Sequence, residues 1–219
     1  SAASDVYKRQ GIIYDRTSKK VIWGKAENEK RPMASTTKIM SAIVVLENAN
    51  LNDVVIVSKK SAGTGGSRLG LKSGDKITVN DLLYGLLLVS GNDAAVALAE
   101  YVGGSVEGFS NKMNAKAKEL GLESTHFITP HGLDMQEQYT TALELAEMTD
   151  YALEIKKFAD IVNTKSITIS INGQSKMLNN TNELLGNLEG VNGVKTGFTN
   201  GANRCLVTCL LYTSDAADE

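Results

Sequence analysis

Two cysteines and two prolines in 219 residues are few. Cys205 and Cys209 stand four apart in what reads as a strand, so at ~3.3 Å per residue they lie ~13 Å apart, and no disulfide framework is available. Long apolar runs are missing as well. The longest, Leu82 to Val89, is far short of the ~20 residues that span a bilayer, and no charged-then-apolar leader opens the chain. Nor does one charge dominate: 23 Lys plus Arg face 25 Asp plus Glu, which leaves no basic field for nucleic acid or anionic lipid. His126 and His131 lie in no HExxH or paired-cysteine spacing, so no metal and no other cofactor is expected. What is present, 42% hydrophobic residues in a chain of this length, suffices for one large domain, or a domain with a lobe, with an ample core.

The two ends, SAASDVYKRQ and CLLYTSDAADE, fit none of the periodicity between them. A DNA sequence that encodes the first also encodes the second when its reverse complement is read in another frame. Such an inverted repeat resembles a translated sequencing-library transposon adapter. The expected domain is therefore 11–208, cut at both ends, with 1–10 and 209–219 as adapter-like, non-native tails. A residue such as Leu210 or Tyr212 can still extend a neighbouring strand, because backbone groups alone fill a ladder.

Between the ends, Gly11 to Asp15 and Val21 to Gly24 read as a hairpin joined by the polar run Arg16 to Lys20. Ser35 to Glu47 is apolar nearly all round, the mark of a helix buried in a core. Gly63 to Gly74 is loop and lacks the order of a phosphate cradle. Thr78 with Asp81 opens a helix to Val89; Ser90-Gly91-Asn92 interrupts it, and Asp93 to Val102 continues as another. Ser110 to Leu120 is amphipathic and stops at Gly121. Thr141 with Glu144 forms a capping box for a further helix. Ile167, Ile169 and Ile171 alternate before Asn172-Gly173, and Gln174 to Leu178 returns as the second arm of a hairpin. Gly193 to Thr199 and Arg204 to Thr208 make another around Asn200-Gly201. Strands at both ends with helices between them predict an α+β domain: a sheet built from the termini, with a helical lobe inserted in the middle.

Three short motifs carry chemistry. In Ser35-Thr36-Thr37-Lys38, residues i and i+3 share a helix face, so the Lys38 amine can reach the Ser35 hydroxyl. A serine needs a base to take its proton, and a lysine serves only where burial or nearby positive charge keeps it partly neutral. The helix N-terminus adds positive potential for an oxyanion. Ser90-Gly91-Asn92, at a break between helices, offers a hydroxyl that can relay a proton and an amide that can donate and accept. In Lys195-Thr196-Gly197, on a strand, a cation and a hydroxyl suit a ligand carboxylate, and Gly197 leaves room for close approach. Ser73 to Lys76 and Ser170 to Asn172 repeat two of these patterns by chance of turn chemistry. His131, in Pro130-His131-Gly132-Leu133, reads as part of a structural turn.

S-x-x-K, S-x-N and K-T-G in this order form the motif set of penicillin-binding proteins and class A β-lactamases. Their contexts, Pro32 to Met40, Asp81 to Ala95, Pro130 to Asp134 and Gly193 to Thr199, resemble the low-molecular-mass D-alanyl-D-alanine carboxypeptidases over essentially all of 11–208. The resemblance implies a β-lactamase/DD-peptidase-like fold, an antiparallel sheet flanked by helices, with its C-terminal strands incomplete. It implies a secreted bacterial hydrolase of the cell wall, a serine peptidase of peptidoglycan biosynthesis and cell shape. Its substrate would be the peptidoglycan stem pentapeptide, β-lactam antibiotics would be covalent inhibitors, and membrane contact would come only through segments absent here. Carried over by position, Ser35 is the acylated nucleophile, Lys38 its base, Ser90 the proton relay and Asn92 a substrate-amide ligand. Lys195 and Thr196 hold the terminal carboxylate beside Gly197, and the backbone N–H groups of Ser35 and Phe198 form the oxyanion hole.

Two other readings stay open. A class A-like β-lactamase needs a glutamate-activated water, but the middle motif is Ser-Gly-Asn rather than Ser-Asp-Asn and no Glu-x-x-Leu-Asn falls between Asn92 and Lys195. A penicillin-acylated sensor or scaffold domain would acylate without turnover.

Overall fold

The computed structural model describes residues 9–133, 137–181, 194–201 and 204–212, with the backbone alone for 9, 10, 194–201 and 204–212. Chain order begins with β1 (Arg9–Asp15) and β2 (Lys20–Lys25), then a 3-10 turn (Ala34–Thr36) running into α1 (Thr37–Asn48). β3 (Val54–Ile56), α2 (Lys59–Ala62) and β4 (Lys76–Thr78) follow, then α3 (Val79–Leu88), α4 (Asn92–Gly103) and α5 (Val106–Glu119). α6 (Ala142–Glu154) and α7 (Lys156–Val162) precede β5 (Ser166–Ile171) and β6 (Gln174–Asn179), and β7 (Val194–Gly201) and β8 (Arg204–Tyr212) come last.

β1, β2, β7 and β8 form one antiparallel sheet in the order β2-β1-β8-β7, so the two ends of the chain pair with each other, as expected from the strand distribution. The ladder takes in residues of both end stretches: Arg9 lies opposite Tyr212 and Gly11 opposite Leu210. Ile12 and Tyr14 turn from this sheet into the core, where α6 packs on β1 and β8. α1 is the hub. It touches α3, α4, α5, α6 and α7, which is why its sequence is apolar on every side and Thr37 to Val45 are all buried. The β1–β2 turn is tied to α6 through the buried Asp150 carboxylate, which pairs with Arg16 Nε and Lys19 Nζ at 2.6 Å each.

Local signals explain most boundaries. Thr78 Oγ1 accepts from the Asp81 amide at 3.1 Å and starts α3, and Gly104 in the left-handed region ends α4. Asn172 and Gly173, with φ of 53° and 80°, make the tight turn between β5 and β6.

Five expectations are corrected. Asn200 and Gly201, read as the turn of the last hairpin, are strand residues paired with Cys205 and Arg204, so the ladder runs through them. The helix read from Ser35 begins as an α-helix only at Thr37, because the Thr36 amide bonds the Met33 carbonyl and closes a tighter i to i+3 turn. The helix read from Ser110 starts at Val106, capped by Ser105, whose hydroxyl accepts from the Gly108 amide at 2.9 Å. The capping box is half made: Thr141 Oγ1 accepts from the Glu144 amide, but the Glu144 carboxylate turns away to the Ser124 amide at 2.9 Å and Thr125 Oγ1 at 2.7 Å. β3, α2, β4 and α7 have no counterpart in the sequence reading, since pieces of three to seven residues carry too few periods to register.

Candidate active site

Ser35 sits half-buried in the 3-10 turn and Lys38 in the first turn of α1, so both motif residues belong to one continuous backbone segment. Lys38 is only 2% exposed, and its Nζ donates to the His131 carbonyl at 3.1 Å. Burial lowers its pKa to about 7, because an ammonium withdrawn from water without a carboxylate partner is disfavoured. The amine is thus close to half neutral at physiological pH.

The His131 carbonyl is a contact the sequence did not disclose. His131 lies on a segment, 130–132, that runs along the start of α1, where the Pro130 carbonyl accepts from Ser41 Oγ at 2.5 Å. The His131 imidazole is held down to about 4 by burial, with the Lys38 charge as a further cause. Its Nδ1 accepts from the Leu133 amide at 3.0 Å, which suits a neutral ring.

Ser90 takes the left-handed conformation, φ 54°, at the break between α3 and α4, both of which pack on α1. Asn92 opens α4 and is buried. Its Nδ2 donates to the Gly65 carbonyl at 2.9 Å, its backbone amide donates to the Ser67 carbonyl at 2.8 Å, and its Oδ1 is buried with no hydrogen-bond partner among the described residues. A buried amide oxygen without a donor has the capacity to accept a hydrogen bond. A Cβ built on Gly66 would fall 2.5 Å from Asn92 Nδ2 and 3.6 Å from Leu133 Cδ2. Gly66 thus lies close to the side chains of both Asn92 and Leu133, and its φ of +77° favours glycine.

The loop is held by Asp93, which the sequence reading used only as a helix start. Its fully buried carboxylate accepts from the amides of Leu69, Gly70 and Leu71 at 2.8, 2.9 and 2.9 Å, as well as from Ala94 at 2.9 Å. Nothing in a local pattern announces donors 22 to 24 residues upstream. Asp93→Asn replaces an acceptor by an amide that points N–H toward N–H. Lost charge-assisted bonds of this kind cost roughly 3 kcal/mol, so the melting temperature should fall on the order of 10 °C in a thermal scan. A fall of less than about 2 °C would show that the carboxylate does not anchor the loop.

The third motif lies on β7, which runs beside the Ala34–Thr36 turn. Lys195, Thr196, Gly197 and Phe198 stand opposite Leu210, Cys209, Thr208 and Val207 of β8. Their side chains lie outside the described residues.

Comparison with known proteins bears on the family and the fold. The family model described as D-alanyl-D-alanine carboxypeptidase matches residues 1–212. D-alanyl-D-alanine carboxypeptidase DacF of Bacillus subtilis is 38% identical over 204 residues, 90% of this chain and 52% of the relative. A D-alanyl-D-alanine carboxypeptidase of Mycobacterium tuberculosis is 38% identical over 198 residues, 90% of this chain and 68% of the relative. The chain thus spans about half the length of the first of these relatives and about two thirds of the second. Among solved structures, a point mutant of a Streptomyces DD-transpeptidase superposes with a TM-score of 0.81 at 32% identity, over 94% of this chain and 90% of that one. The crystal structure of a Mycobacterium tuberculosis D-alanyl-D-alanine carboxypeptidase superposes with a TM-score of 0.83 at 33% identity, over 95% and 84%.

Proposed function

The chain belongs to the D-alanyl-D-alanine carboxypeptidase family, and from that premise we propose that it is a serine D-Ala-D-Ala carboxypeptidase. It removes the terminal D-alanine of a peptidoglycan stem peptide through an acyl-enzyme on Ser35 and is acylated by penicillin at the same atom. The observation that carries this reading is Lys38: a buried amine three residues after a serine, with its pKa lowered to about 7 and a single carbonyl as its partner among the described residues.

In the proposed reaction the neutral Lys38 Nζ takes the Ser35 Oγ proton as Oγ attacks the carbonyl carbon between the two D-alanines. The tetrahedral oxyanion is met by the backbone N–H groups of Ser35 and Phe198. The C–N bond then breaks, and the leaving amine receives a proton relayed through Ser90. Water attacks the ester, Lys38 takes its proton, and Ser35 Oγ recovers a hydrogen as the acid leaves. Asn92 binds a substrate amide, Lys195 and Thr196 hold the terminal carboxylate, and Gly197 allows the close approach. Because peptidoglycan lies outside the cytoplasmic membrane, the proposed site of action is extracytoplasmic.

Intact mass after exposure to penicillin should rise by one antibiotic, with the adduct mapping to the peptide that contains Ser35. A D-Ala-D-Ala-ending peptide should release free D-alanine. An adduct elsewhere overturns the assignment, and an adduct on Ser35 without D-alanine release points instead to a sensor or scaffold that acylates without turnover.

A further inference from the structure

The residue before the candidate nucleophile is in an unusual state. Ala34 has φ +48°, a conformation that a residue with a Cβ adopts at a cost and keeps only when its surroundings impose it. Packed against it is a residue 98 positions further along the chain. Gly132, itself at φ +86°, lies with its Cα against the Ala34 peptide. A Cβ built on Gly132 would overlap the Ala34 carbonyl oxygen, come within 2.6 Å of the carbonyl carbon and within 2.8 Å of Thr37 Oγ1.

The contact is one of three in register. Pro130, His131 and Gly132 engage Ser41, Lys38 and Ala34 in turn, two by carbonyl hydrogen bonds and one by close packing, so the segment runs backwards along the start of α1. The segment is pinned on its own account. The Gly132 amide donates to Thr129 Oγ1 at 3.0 Å, and the Thr129 amide donates to Gln138 Oε1 at 2.7 Å.

We infer that Gly132 is a positioning residue for acylation: by seating against the Ala34 carbonyl it sets the plane of the peptide between Ala34 and Ser35. That plane matters because a peptide unit is rigid, so the Ala34 carbonyl and the Ser35 N–H turn together. In the proposed reaction, on which this inference rests, the Ser35 N–H is an oxyanion donor. Pushing the Ala34 oxygen aside swings that N–H off its target and shifts Ser35 relative to Lys38. In this proposal Gly132 acts through the Ala34–Ser35 peptide, the first atoms a Cβ there would meet being the Ala34 carbonyl oxygen and carbon.

The test compares the rate of penicillin acylation of Ser35 and the melting temperature in wild type, Gly132→Ala and the double variant Ala34→Gly with Gly132→Ala. Loss of one oxyanion donor slows such reactions roughly a hundredfold or more, and Gly132→Ala should acylate about 100-fold slower while also melting lower. In the double variant, glycine at 34 lets the carbonyl move clear of the new Cβ at little cost, so the melting temperature should recover in part, the remaining loss being the strain of an alanine at φ +86° and its approach to Thr37 Oγ1. The acylation rate should not, because the peptide plane remains turned. A role in packing alone predicts that rate and melting temperature recover together, and that result overturns the inference. So does a Gly132→Ala rate within threefold of wild type. If Gly132→Ala fails to fold, the double variant is decisive on the same criteria. No adduct on wild-type Ser35 would instead overturn the proposed reaction, and this inference with it.

Discussion

Lys38→Met should slow penicillin acylation by roughly a thousandfold while making the protein more stable at pH 6. The two effects have one cause. Lys38 titrates at about 7 in the fold against 10.5 for a lysine in water. Below that folded value the amine is charged in both states, and the folded state carries the penalty of a buried ammonium in full. As the pH rises from about 7 toward 10.5 the folded protein has shed a proton that the unfolded chain still binds, so the penalty fades. Methionine keeps the unbranched length without the charge, although it leaves the His131 carbonyl without its donor. The net gain at pH 6 should be about 2 to 4 kcal/mol, or roughly 5 to 15 °C in melting temperature, shrinking toward zero near pH 10. The wild-type acylation rate should rise with pH through a limb centred near 7, as the neutral amine becomes available. Thermal scans at pH 6 and pH 10, with acylation rates across that range, check both halves. A variant equally destabilised at both pH values, or one that acylates normally, would show that Lys38 is not a buried base.

Lys195→Ala should lower kcat/KM for a D-Ala-D-Ala peptide by roughly 10- to 150-fold, the equivalent of one charge-assisted contact at ~1.5 to 3 kcal/mol. The stronger part of this prediction is selectivity. A substrate whose C-terminus is amidated should already be poor with the wild type and should lose little more in the variant, since there is no carboxylate left to hold. Equal losses on acid and amide substrates would assign Lys195 another task. Its place on β7, beside the Ala34–Thr36 turn, is consistent with the proposed carboxylate site near Ser35.

Periodicity and turn chemistry made several features legible in the one-dimensional chain. The alternating Ile167, Ile169 and Ile171 before Asn172-Gly173 determine a hairpin because side chains alternate on a strand and a positive-φ pair closes it. The all-round apolar stretch after Ser35 determines a buried helix, since a helix with partners on every side has no polar face to keep. The order of the three motifs determined the chemistry sought, because a serine and a lysine three apart share a short segment in either kind of helical turn.

Whatever depends on partners distant in sequence was decided only in three dimensions. That Gly132 packs against the carbonyl of a left-handed Ala34, and that the buried Lys38 amine finds the His131 carbonyl, are contacts between parts of the chain far apart in sequence. The local pattern at Asp93 and at Glu144 reads as helix-start chemistry, yet one carboxylate binds a loop more than twenty residues upstream and the other the Ser124–Thr125 turn. A side chain's local options are written in its neighbours; which option wins depends on the donors and the desolvation that the folded chain brings to it.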